Sequence, residues 1–253
     1  MKLTSRDNPK VKRWAKLVRD AKLRKKEGRL LVEGPHLVEA ALRAGLQPHA
    51  LLVSERAQQD PEIASLTAGA QPLVLSERVF ASIVDAETPP GIAAEVAMPS
   101  VQKQGDVVFL EGVQDPGNVG AIMRSAAALG VACVVLDRAC ADAWSAKTLR
   151  AGMGAHFALQ VKTVASLEDE LERFAGRILC AIPRAGVSLE KANLEGPIAW
   201  LFGAEGQGVS AAAAKHADLK VTIAMAPGSE SLNVAAAAAI CLYEAFSRRG
   251  ARS

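Results

Sequence analysis

The chain has 253 residues, half of them apolar and only 4% aromatic, with a net charge of +3. That length allows one large or two ordinary domains, each with a sizeable core. No apolar run approaches the roughly eighteen residues that would span a bilayer, and the opening stretch Met1 to Asp7 has no apolar segment of a secretory signal, so a cytoplasmic protein without a membrane segment is expected.

The charge is unevenly spread. Residues 1–29 hold twelve Lys and Arg against Asp7, Asp20 and Glu27, a net +9, which leaves −6 for the remainder. A basic leading segment on a slightly acidic body points to a polyanion held at one end, although a solvated helix face has the same composition. Pro9 to Arg29 reads as one helix, with Val11, Trp14, Ala15, Leu17 and Val18 as a partial apolar stripe. A strand follows at Arg29 to Val32, then a helix from Pro35 to Ala44 that Gly45 stops. Strands are expected at Ala50 to Val53, Pro72 to Leu75 and Ile92 to Val96, and helices at Pro61 to Thr67 and Ser76 to Val84. This alternation describes a small α/β or α+β domain over residues 1–97, and the polar, breaker-rich stretch 98–106 is a linker.

From Val107 the alternation restarts. Strands are expected at 107–111, 131–136, 157–161, 177–181, 198–202 and 219–223. Helices are expected at 118–129, 145–151, 166–174 and 209–215, with a last one from Asn233. Several strands are continuous apolar runs, as when helices cover both faces of a sheet, so residues 107–253 read as an α/β domain with a mainly parallel sheet. From Asn233 to Tyr243 the last helix carries no charge, which requires cover in a core or against a partner. Cys133, Cys140, Cys180 and Cys241 form no C-x-x-C pair and no metal-like spacing with the histidines, so buried reduced thiols and no metal are expected.

Ligands of such sheets sit outside the carboxyl ends of the strands. Three loops there stand out: Gln114 to Gly120, Phe202 to Gly208, and Ala226 to Val234. None fits a dinucleotide or P-loop fingerprint, and taken singly each glycine serves equally as a turn residue. Taken together, Asn118-Val119-Gly120-Ala121-Ile122-Met123-Arg124, Phe202-Gly203-Ala204-Glu205-Gly206 and Ser231-Leu232-Asn233-Val234 resemble, in order and spacing, the SpoU (TrmH-like) branch of the SPOUT RNA methyltransferases. The segment Lys147 to Ala155 resembles one the family carries between its first two motifs. The likeness covers about residues 106–249. Residues 1–97, with Glu33-Gly34 after a basic helix, are similar to the family's substrate-binding domain, itself like a kink-turn-binding ribosomal protein.

The resemblance implies a deep trefoil knot near the C-terminus, S-adenosylmethionine bound by Gly203, Ile223 and Leu232, and a homodimer through the final helix. It implies methyl transfer to a ribose 2′-hydroxyl of structured RNA, ribosomal before transfer RNA, by Arg124 with Asn118, Glu205, Ser231 and Asn233. The family's Arg is assigned the general-base role, but a guanidinium with a pKa above about 12 has no free lone pair. Arg124 therefore either loses a proton in a special site or stabilises the developing alkoxide. Two departures stand out: Ala224 replaces a frequent Pro and Ala235 a frequent Ser. The rival class is an RNA-binding or ribosome-associated protein with incidental or no methyl transfer, which the basic leading segment alone would suggest.

Overall fold

A computed structural model describes residues 2–250; Met1 and residues 251–253, included in the expected domain spans, lie outside the described residues. The chain forms two compact units, Met1–Ser100 with Trp144–Phe157, and Val101–Ala143 with Ala158–Ser253.

The first unit contains β1 (Lys2–Leu3), α1 (Pro9–Arg19), α2 (Ala21–Glu27), β2 (Arg29–Glu33), α3 (Pro35–Arg43), β3 (Ala50–Ser54), α4 (Pro61–Leu66), β4 (Leu73–Leu75), α5 (Glu77–Ile83) and β5 (Ile92–Ala97). Its five strands lie in the order β1-β4-β3-β5-β2; β1, β4 and β3 are parallel, and β5 is antiparallel to both neighbours. Alternate residues supply two cores. Leu31, Leu52 and Ala93 face Trp14, Leu17 and Phe80, whereas Leu30, Val32, Leu51, Val53 and Ala94 face Leu37, Val38 and Ala41. This is the period-2 pattern of a sheet covered on both sides.

The single helix expected over 9–29 is two. The chain turns extended at Asp20 (φ −116°, ψ 102°), whose carboxylate caps α2 by accepting from Lys22 N at 2.9 Å and Leu23 N at 3.1 Å. A short acid is a strong helix starter, and here that local preference defeats the longer periodic stripe. Buried Arg24 donates to the Leu17 and Val18 carbonyls at 2.7 and 2.9 Å, fastening α2 to the end of α1.

Segment 144–157, which the expected division places inside the second domain, is part of this unit. Ala146 joins the first core and Leu149 and Phe157 the second. Arg150 pairs with the buried carboxylate of Glu33 and, at 2.8 Å, with Asp85, while Glu33 also accepts from Asp85 N at 2.7 Å.

The second unit contains β6 (Val107–Glu111), α6 (Pro116–Ala128) and β7 (Cys133–Leu136); after α7 (Ala146–Gly152), which lies in the first unit, come β8 (Gln160–Thr163), α8 (Leu167–Glu172), β9 (Arg177–Ala181), β10 (Val187–Ser188), β11 (Ile198–Gly203), α9 (Ala211–Ala214), β12 (Leu219–Thr222) and α10 (Val234–Gly250). The seven strands are all parallel, in the order β10-β12-β9-β11-β6-β7-β8. The strand expected at 157–161 instead starts at Gln160, because Phe157 closes a 3-10 turn (Ala155–Phe157) and is buried in the first unit. The short edge strand β10 was not expected. Since β11 lies between β6 and β9, the chain runs outward from β6 through β7 to β8 and later returns on the other side. The carboxyl ends of β6 and β11 meet at this reversal, where Glu111 pairs in register with Gly203. Open α/β sheets bind ligands at such points.

Candidate active site

Each of the three loops leaves the carboxyl end of a parallel strand. After β6, Gly112 takes a left-handed φ of 65° and the chain enters α6 through Asp115, whose carboxylate accepts from Asn118 N at 3.0 Å, and Pro116 in the first turn. After β11, the loop folds back so far that a Cβ on Gly203 would stand 2.1–2.2 Å from the backbone of Gly208 and Val209. Only glycine permits this closure, which an Ala204–Gly208 bridge completes. Glu111 accepts from Ser210 N at 2.7 Å and so ties the end of that loop to β6. After β12, residues 223–233 lead into α10, whose first turn Asn233 caps by accepting from Ala235 N at 2.9 Å and Ala236 N at 3.2 Å.

A cavity of about 330 Å³ lies at the carboxyl ends of β9, β11 and β12. Ala181, Ile182, Val221, Ile223 and Leu232 give it apolar walls; Gly203, Glu205, Ser231 and Asn233 also line it. Asn118 is not among the lining residues but is bonded to them: its side-chain amide donates to Glu205 Oε1, and its Oδ1 accepts from Asn233 Nδ2 at 3.0 Å. One asparagine thus links all three loops. Arg124 lies apart from this lining, exposed on α6, with no hydrogen bond or ion pair among the described residues.

Further residues shape the site without belonging to any of the three motifs. Ile182 and Pro183 follow β9 and form part of the wall; their position after an expected strand was the signal available. Arg184 donates to the Ser229 carbonyl at 3.4 Å, joining that loop to the one before α10. Asp137, after β7, accepts from Gly112 N (3.1 Å), Ala139 N (3.0 Å) and Cys140 N (2.9 Å), and so holds the turn that follows β6. Burial, with Asp137 alongside, pushes the Cys140 thiol up to about 12; burial alone takes Cys241 to about 12, and it dominates the rise of Cys133 and Cys180 to about 11. All four are protonated thiols at neutral pH, not nucleophiles. Among the described residues no cluster of three or more His, Cys, Asp or Glu offers a metal site, and no helix is long and apolar enough to cross a membrane.

The arrangement can hold a flat apolar group against the β9 and β12 side while presenting amide, hydroxyl and carboxylate groups on the α6 and α10 side. Residues 106–243 match the SpoU rRNA Methylase family, and residues 8–94 match an MRM3-like substrate binding domain. The chain is 36% identical over 245 residues, 95% of its own length and 97% of the relative's, to the 23S rRNA (guanosine(2553)-2′-O)-methyltransferase RlmP of Bacillus subtilis. Among solved structures, an RNA 2′-O ribose methyltransferase superposes with a TM-score of 0.83 at 31% identity, covering 98% of this chain and 99% of the other. The SpoU methyltransferase AviRb of Streptomyces viridochromogenes, crystallised with AdoMet, superposes with a TM-score of 0.83 at 27% identity, over 96% and 98% of the two chains. The parallel-sheet unit thus has the SPOUT fold, and this protein belongs to the SpoU rRNA methylase family.

Proposed function

We propose that the protein transfers the methyl group of S-adenosylmethionine to a ribose 2′-hydroxyl of ribosomal RNA. The observation that carries this reading is the cavity at the carboxyl ends of β9, β11 and β12, with the Glu205–Asn118–Asn233 network at its edge. Its volume lies at the lower end of the range of about 300–1,000 Å³ typical of small-molecule sites. Its composition fits the cofactor: Ile182, Ile223 and Leu232 suit a purine face, and the loop closed at Gly203 brings backbone groups close. When bound, the cofactor supplies a methyl group already activated on a sulfonium.

The chain's own part is alignment and charge. The amide network holds Glu205 and Asn233 in one geometry, so the ribose meets groups that need no reordering; alignment alone is worth on the order of 7–11 kcal/mol. Glu205, the carboxylate of the lining, takes the proton in this reading. Arg124 is a fixed donor whose guanidinium steadies the developing alkoxide or a neighbouring phosphate. The named substrate of the Bacillus relative, a guanosine of 23S rRNA, supports large-subunit RNA as the substrate class and the cytoplasm as the place of action. The working form is a homodimer through α10. Supporting this, Ile240, Tyr243 and Phe246 are 40%, 61% and 50% exposed on a helix otherwise built for cover.

The test is labelled methyl transfer to ribosomal RNA from cells lacking this gene, with calorimetry for the cofactor. Products should resist nuclease cleavage at the modified ribose. Absence of both cofactor binding and transfer rejects the reading. Arg124→Ala should abolish transfer with cofactor affinity nearly intact, and Arg124→Lys should recover part of it if charge is the contribution. Loss of cofactor binding in either variant would make Arg124 structural.

A further inference from the structure

The twelve basic residues of the leading segment do not form one uniform patch. Six are tied into the fold of the first unit. Arg13 pairs with Glu27 and Glu95, Lys2 with Glu55 and Lys12 with Asp7. Arg6 and Arg19 donate to the Arg78 and Ser82 carbonyls around α5, and Arg24 is buried against the end of α1. Arg29 is half-buried and acts electrostatically on Glu95, while Lys10, Lys16, Lys22, Lys25 and Lys26 are exposed and make no ion pair or side-chain hydrogen bond among the described residues.

Three of these five share one helix face. With Arg24 pinned inward, steps of about 100° per residue turn Lys22, Lys25 and Lys26 outward together on α2. The rotation of α2 is thus set by a buried arginine whose carbonyl acceptors belong to the preceding helix. The same unit offers no exposed aromatic platform on these helices. Trp14, Phe80 and Phe157 are buried, and Trp144 is partly buried against the second core. The exposed imidazoles, His36 and His49, sit at the start of α3 and just before β3. Single-stranded RNA is usually gripped by stacking its bases on aromatic rings, whereas double-helical RNA is gripped largely through backbone and shape.

We propose that the lysine face of α2 docks the phosphate backbone of a double-helical RNA segment, without reading its sequence. The proposal rests on the RNA-modifying function above and adds to it the surface and the form of RNA recognised. Lysine suits this role, because a mobile ammonium on a long stem neutralises a phosphate without demanding a fixed base geometry.

The experiment compares the full chain with Lys22→Ala/Lys25→Ala/Lys26→Ala, using two RNA duplexes of unrelated sequence and one isolated strand over a range of salt. Circular dichroism should show the same fold for both proteins, since the three exposed side chains make no hydrogen bond or ion pair among the described residues. Both duplexes should bind alike and more tightly than the strand. Each phosphate contact on a duplex contributes about −0.9 to the slope of log K against log salt, so the variant should lose up to about 2.7 from its magnitude. An unchanged slope in the variant overturns the proposal alone, as does tighter binding of the single strand. Failure of the wild-type chain to bind either duplex also overturns this proposal; the function above falls only if labelled transfer to ribosomal RNA and cofactor binding are absent too.

Discussion

Glu95 shows how one side chain is held in a state its surroundings oppose. Burial tends to raise its pKa, but hydrogen bonds from Arg13 (2.8 and 2.9 Å) and Trp14 Nε1 (2.8 Å) outweigh it and hold the carboxyl below its ordinary 4.5. The bonds to Glu95, with Glu27 alongside, outweigh burial and raise the Arg13 guanidinium above its usual value. Because the folded pKa is depressed, the stability Glu95 contributes is complete above about pH 4.5 and is lost as pH falls through the lower folded value. Glu95→Gln should therefore lower stability near neutral pH by about 1–3 kcal/mol, and its deficit against wild type should shrink on acidification below that range. Denaturant titrations at several pH values check this; a deficit independent of pH would mean that packing, not charge, is what Glu95 supplies. Arg13 looked in the sequence like one more cation for RNA. The carboxylate that captures it lies 82 residues away, on β5, and no local pattern points there.

At the level of elements, α10 begins on a residue with two roles. Asn233 caps the helix through its Oδ1 and bonds Asn118 through its Nδ2. The substitutions to Asp and Ala separate the roles. Asn233→Asp keeps the cap, since a carboxylate accepts from the same amides, but sets an acceptor against Asn118 Oδ1. Asn233→Ala loses both. Thermal melts should show Asn233→Ala destabilised by about 1 kcal/mol, a usual cap loss, with Asn233→Asp close to wild type, while both lose methyl transfer. Full activity in Asn233→Asp would show that the bond to Asn118 is dispensable. The elements themselves were largely legible, because apolar runs and Pro and Gly boundaries are local signals. The misreadings, at Asp20 and around Phe157, both fall where a local turn or a distant core competes with periodicity.

For the whole molecule, the exposed Tyr243 and Phe246 make the proposed homodimer testable. The double substitution Tyr243→Glu/Phe246→Glu should sediment as a monomer while wild type sediments at twice its mass. Wild-type protein that is monomeric at micromolar concentration would leave the α10 face for another occupant. The division of the chain is equally a property of the assembled fold. Residues 144–157 follow the first strands of the parallel sheet in sequence, yet Leu149 and Phe157 find cover, and Arg150 its carboxylates, in the first unit.

By itself the sequence determined the alternating elements and the three strand-end motifs, because each depends on neighbours a few residues apart, and its continuous apolar strands pointed to a mainly parallel sheet. It also marked the basic leading segment as a charge reservoir. Only the tertiary structure decided which of those charges are tied up, that Asn118 joins Glu205 to Asn233, that Ile182 and Pro183 complete the cavity wall, and that Arg124 lies outside its lining. The pairings of Arg13 with Glu95, of Asn118 with Glu205 and of Asn233 with Asn118 reach across 82, 87 and 115 residues of chain, set by packing that no short stretch of sequence records.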